Sequence, residues 1–236
     1  MNRKIAAGVL TLSGLLALGC NPPKPKYSLY TSPDRDFQCS VPWAWNVIYD
    51  SEGKRFTNLT FIGPFERDFY LGAPSFSVRW FTRYAPHRLG IDTVEMYSDA
   101  EDFIKQNLEA VYGADREMFK PEQDIQLKAI GRTGKYFVVV SPGPAHPKAQ
   151  WGTAVDEGTG KSINPRKHAY VLIPMPSGFY VLTYPATTFG YKKYKDQFDE
   201  LVFSFVPLKD GPGGAPLPPP ADDKPQAKKK ALLVTP

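Results

Sequence analysis

The chain has 236 residues and a formal charge of +5, with 29 basic and 24 acidic side chains. The surplus sits at the ends: residues 27–206 carry 20 basic against 21 acidic residues, which argues against a nucleic-acid partner for the folded part. With residues 1–19 set aside, enough chain remains for one domain of good size.

Residues 1–19 read as an export signal. Arg3 and Lys4 precede the apolar run Ile5–Gly19, which closes in small residues. Fifteen residues in a helix reach only about 22 Å, short of the roughly 30 Å hydrocarbon core, so a permanent span is not expected. Ala17-Leu18-Gly19-Cys20 resembles the lipobox of bacterial lipoproteins, although Leu18 is larger than the residue usual at that place. The resemblance implies that Cys20 becomes the first mature residue and carries lipid, palmitate included. It also implies a membrane partner and a place in the bacterial cell envelope. Asn21 follows instead of aspartate, which favours the outer membrane, facing the periplasm. The alternative is an ordinary signal cut nearby, with Cys20 incidental.

Residues 20–26 form a proline-rich tether that lifts the domain roughly 20 Å from the bilayer. The fold is expected over 27–206. Leu29–Tyr30 and Phe37–Val41 read as strands around the turn cluster 32–36. In the second, Cys39 shares a face with Phe37 and Val41 and is expected to be buried and inert. Trp45–Tyr49 continues extended, and Arg55–Ile62 alternates after the turn 51–54. Residues 63–74 form a loop rich in glycine, proline and aromatics. Ser75–Tyr84 is the clearest strand, with Phe76, Val78, Trp80, Thr82 and Tyr84 on one face and Arg79 and Arg83 on the other, taken as solvated.

Ser98 and Glu101 suggest a capping box opening a helix that Gly113 closes, with Ala100, Phe103, Ile104, Asn107, Leu108 and Val111 along its stripe. Ile125–Ile130 and Lys135–Ser141 suggest a hairpin turning through 131–134. Residues 142–165 read as a long loop with four prolines and four glycines. Lys167–Ile173 and Phe179–Tyr184 form a second hairpin. A last helix is expected over Tyr191–Phe203, from the spacing of Tyr191, Tyr194, Phe198, Leu201 and Val202. Residues 207–236, rich in proline and lysine, are expected to be a disordered tail.

Strands in meander order, one helix, more hairpins and a closing helix make a single α+β domain, an antiparallel sheet flanked by helices. Phe37-Gln38-Cys39-Ser40-Val41-Pro42, with Trp45 behind it, resembles the opening strand and turn of the PsbP and Mog1-like sandwiches. Phe198–Leu201 running into Val202-Phe203-Ser204-Phe205 is similar to their closing helix and its Ser-Phe ending. The resemblance spans 27–206 and implies a non-enzymatic binding or assembly module. It carries over no particular partner, and the loop 142–165 departs from the compact members.

No nucleophile elbow, phosphate loop, dinucleotide fingerprint or zinc-protease helix is present in the sequence. His87 and His146 lie in proline-flanked stretches and His168 begins a strand, none with a second ligand at metal spacing. Glu95, Asp99, Glu101 and Asp102 read as acids at a helix start rather than a calcium loop. No cofactor or metal is expected. Two features suggest partner binding. In 65–71, Phe65, Arg67, Phe69 and Tyr70 interleave aromatics with charges, a composition favoured at interfaces. In the long loop, Trp151 stands beside Lys148 and Gln150. The expected function is thus a lipid-anchored binding or assembly module with a protein partner in the envelope. The alternatives are an envelope hydrolase with an unrecognised site, and a binder of anionic lipid or cell-wall polymer through the lysine tail.

Overall fold

The computed structural model describes residues 25–88, 94–108, 117–127 and 131–217. The signal segment, Cys20, the helix end at Gly113 and the lysine cluster 228–230 lie outside them.

Alternating runs become strands where expected. β1 (Tyr27–Thr31) and β2 (Phe37–Pro42) pair antiparallel, and β13 (Val206–Pro207) adds to β2 to make a three-stranded sheet. The large sheet takes β3 (Asn46–Ser51), β4 (Phe56–Ile62), β5 (Ser75–Thr82), β8 (Glu117–Leu127), β9 (Arg132–Pro144), β11 (Ser162–Pro174) and β12 (Gly178–Tyr184). Its order is β3-β4-β5-β12-β11-β9-β8, antiparallel throughout, with β10 (Ala154–Val155) attached to β11. β6 (His87–Arg88) and β7 (Val94–Glu95) make a small hairpin beside it.

One face of the large sheet buries Leu59, Phe61, Phe76, Val78, Tyr180, Leu182 and Tyr184 under the closing helix α2 (Tyr191–Ser204) and the three-stranded sheet. Phe198, Leu201 and Val202 of α2 point into that core. Phe37, Cys39 and Val41 of β2 enter it from the other side, as the period of two predicts. The two motifs behind the family resemblance meet here. Phe205 stacks on Phe37 with ring centres 5.1 Å apart, and the Ser204 hydroxyl accepts from the Ser40 N–H at 2.8 Å. Trp45 turns back from the end of β2 and packs on Phe76, 4.7 Å between rings.

The second face departs from expectation. It is not a solvated surface but carries its own core, in which Phe56, Phe81, Phe137, Tyr170, Leu172, Phe179 and Val181 are buried. Tyr97, ahead of α1 (Ala100–Phe103), and Ala100 and Phe103 within it cover this core, and α1 continues as a π-helical segment over Ile104–Leu108. Among the described residues, a fourteen-residue helix lies on one face, and α1 with its π-helical continuation lies on the other.

The helix cap also differs. Asp99, not Ser98, is the N-cap, its carboxylate accepting from the Asp102 N–H at 2.8 Å, while Asp102 accepts from the Ser98 N–H at 2.9 Å. The acids at 99 and 102 thus satisfy free amides at the helix start, as such residues do. The expected hairpin is displaced. β8 starts at Glu117, Leu127 pairs with Arg132, and the link between them is 128–131 instead of 131–134. The long loop shrinks to 145–161, because β9 runs on to Pro144 and β11 starts at Ser162. Continuous pairing from Ile163–Pro144 to Leu172–Lys135 supplies the backbone hydrogen bonds that the prolines and glycines seemed to forbid. His168 consequently lies mid-strand. β5 ends at Thr82, so Tyr84 leaves the sheet face and is 70% exposed.

The tail does not begin at 207. The Leu208 and Lys209 N–H groups donate to the Asp36 carbonyl, and Lys209 bridges to Pro216. The Ser177 hydroxyl donates to the Asp210 carbonyl at 3.0 Å. Gly211, at φ +78°, lies so flat on Trp80 that a Cβ would sit 2.3 Å from the indole. Residues 207–217 are therefore part of the domain, held by backbone bonds instead of a hydrophobic stripe.

Candidate functional site

The two features singled out in the sequence come together. The loop 63–74 turns tightly on itself through Glu66 N–H to the Gly72 carbonyl and Gly72 N–H to the Phe69 carbonyl, 2.9 and 2.8 Å. Against it lies the stretch around Trp151, fixed by the Gly152 N–H donating to the Arg67 carbonyl at 2.9 Å. Gly152 has φ +60°, and a Cβ there would stand 2.6 Å from the Tyr70 nitrogen, so the crossing of the two loops requires glycine.

At the junction Phe65 meets Trp151 edge to face, ring centres 5.1 Å apart, and the Arg67 guanidinium sits 5.4 Å from the Trp151 ring. Phe65 is 60% exposed and Leu71 66%, whereas Trp151 is half-buried beneath them. Glu66 and Asp68 turn the other way and bind Lys193 of α2, with Lys193 Nζ to Glu66 Oε2 at 3.0 Å. Those two contacts to a single ammonium raise its pKa. Both acids are thereby engaged with α2, and the outward surface is left to aromatics and Arg67.

The remaining two candidates face inward. Phe69 is 1% exposed and packs between Tyr184 and Tyr194, so it anchors the loop and is not a contact residue. Its sequence context could not distinguish it from Phe65. Tyr70 is half-buried and stacks on His168, 5.8 Å between ring centres at 26°. Tyr70 therefore links the loop junction to the second face of the large sheet, where Arg79, Arg166 and His168 lie. Those three were not read as site residues: they come from strands far apart in the sequence, and no spacing connects them.

Burial drives the His168 pKa down to about 3, with Arg166 and Arg79 pushing the same way, so its imidazole is neutral at ordinary pH. Burial raises the Tyr70 phenol to about 12, so it stays a donor. His87 also has a lowered pKa, chiefly from burial, and stacks on Phe56 at 4.7 Å. His146 is exposed, its Nδ1 accepting from the Lys148 N–H. Cys39 is fully buried, which pushes its thiol well above the usual range and disfavours the thiolate.

A separate open cleft of about 370 Å³ runs between the β5 end and the C-terminal segment, walled by Lys54, Trp80, Tyr84, Asp210 and Gly213. Among the described residues, no group of three or more His, Cys, Asp or Glu is placed to hold a metal ion.

No protein-family model matches this chain, and no curated protein does. Among solved structures it is similar to the cyanobacterial PsbP of Synechocystis, with 14% identity over 80% of this chain and 96% of that one, at a TM-score of 0.47. It is similar also to the Ran-binding protein Mog1p of Saccharomyces cerevisiae, with 11% identity over 76% and 94% and a TM-score of 0.41. A Pseudomonas aeruginosa protein of unknown function overlaps 78% of this chain and 98% of its own, at 14% identity and a TM-score of 0.40. PsbP and Mog1p thus stand among the structural neighbours. Likenesses below 0.5 assign neither partner nor activity.

Proposed function

We propose that this chain is a non-enzymatic binding module, tethered to an envelope membrane by lipid on Cys20, that meets a protein partner through the joined loops. One observation carries the reading. Two segments far apart in the chain are locked together at Gly152, and the product of that locking is an outward patch of Phe65, Leu71 and Arg67 braced by Trp151. Large aromatics and arginine held rigid at a surface make efficient contact residues, because little side-chain freedom is lost on binding. The loops are braced from within by Phe69 and Lys193, which preorganises the patch. The tether of residues 20–26 leaves such a domain free to reach a neighbour.

Mass spectrometry of the mature protein tests the anchor: a diacylglyceryl adduct on Cys20 is expected, and a free N-terminus at another residue overturns it. For the patch, a photo-crosslinking side chain is placed at Phe65 and, as control, at exposed Val155 in intact cells. A discrete adduct from position 65 that disappears on Trp151→Ala is expected. Equal labelling from both positions, or none from 65, overturns the assignment.

A further inference from the structure

β3 (Asn46–Ser51) ends the order of the large sheet, so among the described residues no strand lies along its outer edge. Apart from their ladder to β4, these six residues make no backbone-to-backbone hydrogen bond among the described residues. All six are exposed, Val47, Ile48 and Tyr49 included, which puts apolar side chains in solvent on both faces of one strand. Edge strands are ordinarily blunted by lysine, proline or a bulge. Asn46-Val47-Ile48-Tyr49-Asp50-Ser51 has no lysine and no proline, and it pairs with β4 in unbroken register, from Asn46 opposite Ile62 to Ser51 opposite Thr57. An open, regular, apolar edge of this kind is a template for one more strand.

The chain itself carries a matching segment. Residues 231–235 read Ala-Leu-Leu-Val-Thr, an uncharged run that ends in two β-branched residues and follows Lys228-Lys229-Lys230. Its connection to the domain starts close to β3. The Leu217 N–H donates to the Leu208 carbonyl at 3.0 Å, and the neighbouring Lys209 sets its Nζ 2.7 Å from the Asp34 carbonyl. The Tyr49 hydroxyl of β3 donates to the Asp34 carboxylate. Extended, residues 218–230 span about 40 Å, long enough for the step from Leu217 to β3. A linker this short holds the segment at an effective concentration of about 1 mM, so even weak strand pairing suffices.

Charge decides the direction. Asp50 stands at the C-terminal end of β3 with Glu52 and Asp34 close by, and among the described residues none of the three forms an ion pair. The other end adjoins Trp43-Ala44-Trp45, with no acid. An antiparallel pairing sets 228–230 beside the acids, whereas a parallel one sets them beside the tryptophans.

We propose that residues 231–235 add to the outer edge of β3 as an antiparallel strand of the same chain, with 228–230 against Asp50 and Glu52. The tail thereby closes an edge that would otherwise invite other chains. The assignment uses no residue of the Phe65–Trp151 patch and does not depend on lipid at Cys20, so either reading can fail alone.

The test places a photo-crosslinking side chain at Ile48 of the mature full chain, purified and dilute. An adduct within one chain, mapped by mass spectrometry to 231–235, is expected. Leu232→Pro and Leu233→Pro together remove whichever N–H faces β3 and are expected to cut the yield about tenfold. Asp50→Lys sets like charge beside 228–230 and is expected to lower the yield about threefold, less so at high salt. Asp156→Lys, in the turn after β10, is expected to leave it unchanged. Hydrogen exchange makes the comparison without a probe: the outward β3 amides are expected to exchange about tenfold more slowly in the full chain than in one ending at Lys230. An adduct joining two copies assigns the edge to a second copy and overturns the proposal. An adduct elsewhere in the chain, no adduct, or one that survives the paired prolines also overturns it. So does equal exchange with and without 231–236. An undiminished yield in Asp50→Lys overturns the antiparallel direction.

Discussion

The strands of the large sheet alternate on both faces, yet the faces end differently. On one, aromatic residues from β4, β5 and β12 meet a fourteen-residue helix and a second sheet, and the surface closes into a continuous core. On the other, among the described residues, Tyr97 and α1 cover Phe81 and Phe179, and the strands go on with Arg79, His168 and Arg166. A face is a core only as far as its partner element extends. Past Phe81 and Phe179 the second face carries Arg79, Arg166 and the neutral, buried His168.

That contrast can be broken most severely from the well-covered side. Phe198→Ala removes a fully buried ring of α2, and a loss of about 3–5 kcal/mol is expected in urea unfolding. Phe103→Ala does the same under α1. Its cost should fall nearer 3 kcal/mol, because Phe103 sits near the N-terminus of its helix, where the first turn can settle into the space more readily than the middle of α2 can. A loss equal to that of Phe198→Ala would show that α1 covers its face as firmly as α2.

The charged part of the second face is probed by acid. His168 has a folded pKa of about 3, below the unfolded value near 6.5, so the unfolded chain takes up the proton first. Stability is therefore full above about pH 6.5 and falls as pH drops from there toward 3, by up to about 1.4 kcal/mol per pH unit. At pH 5 this amounts to roughly 2 kcal/mol. His87 is shifted in the same sense and adds to the fall. In His168→Gln the slope between pH 6.5 and 4 should flatten; an unchanged slope would remove His168 from this role.

Gly152→Ala attacks the loop junction. With φ +60° and backbone in the way, alanine should cost roughly 1–2 kcal/mol and speed proteolysis within 145–161. The smallest effect is expected for Phe65→Ala, within about 0.5 kcal/mol of unchanged stability, because its ring is mostly in solvent. A larger loss would turn Phe65 from a contact residue into a structural one, like Phe69.

Much of this arrangement was legible along the chain. The periods of β2, β5 and α2 named Phe37, Cys39, Phe76 and Phe198 as inward residues, and each is buried. Phe65 and Phe69 show where that reading stops. They lie four residues apart in one loop with similar neighbours, yet one is exposed and the other is sealed between tyrosines. The tight turn through Gly72 and the position of α2 separate them. The segment after Pro207 misled in the opposite direction: its composition speaks of disorder, but hydrogen bonds to Asp36 and contact with Trp80 order it as far as 217.

The sequence by itself determined the periodic elements and their inward faces, since a strand's period and a helix's stripe are local properties of the backbone. It determined as well the inert character of Cys39 and the expectation of a lipid at Cys20. Only the tertiary structure decided which loops meet, that residues 207–217 pack on the domain, and that Tyr70 stacks on a buried His168. Each of these depends on contacts between residues tens of positions apart, made by strand order and register, which no local pattern encodes.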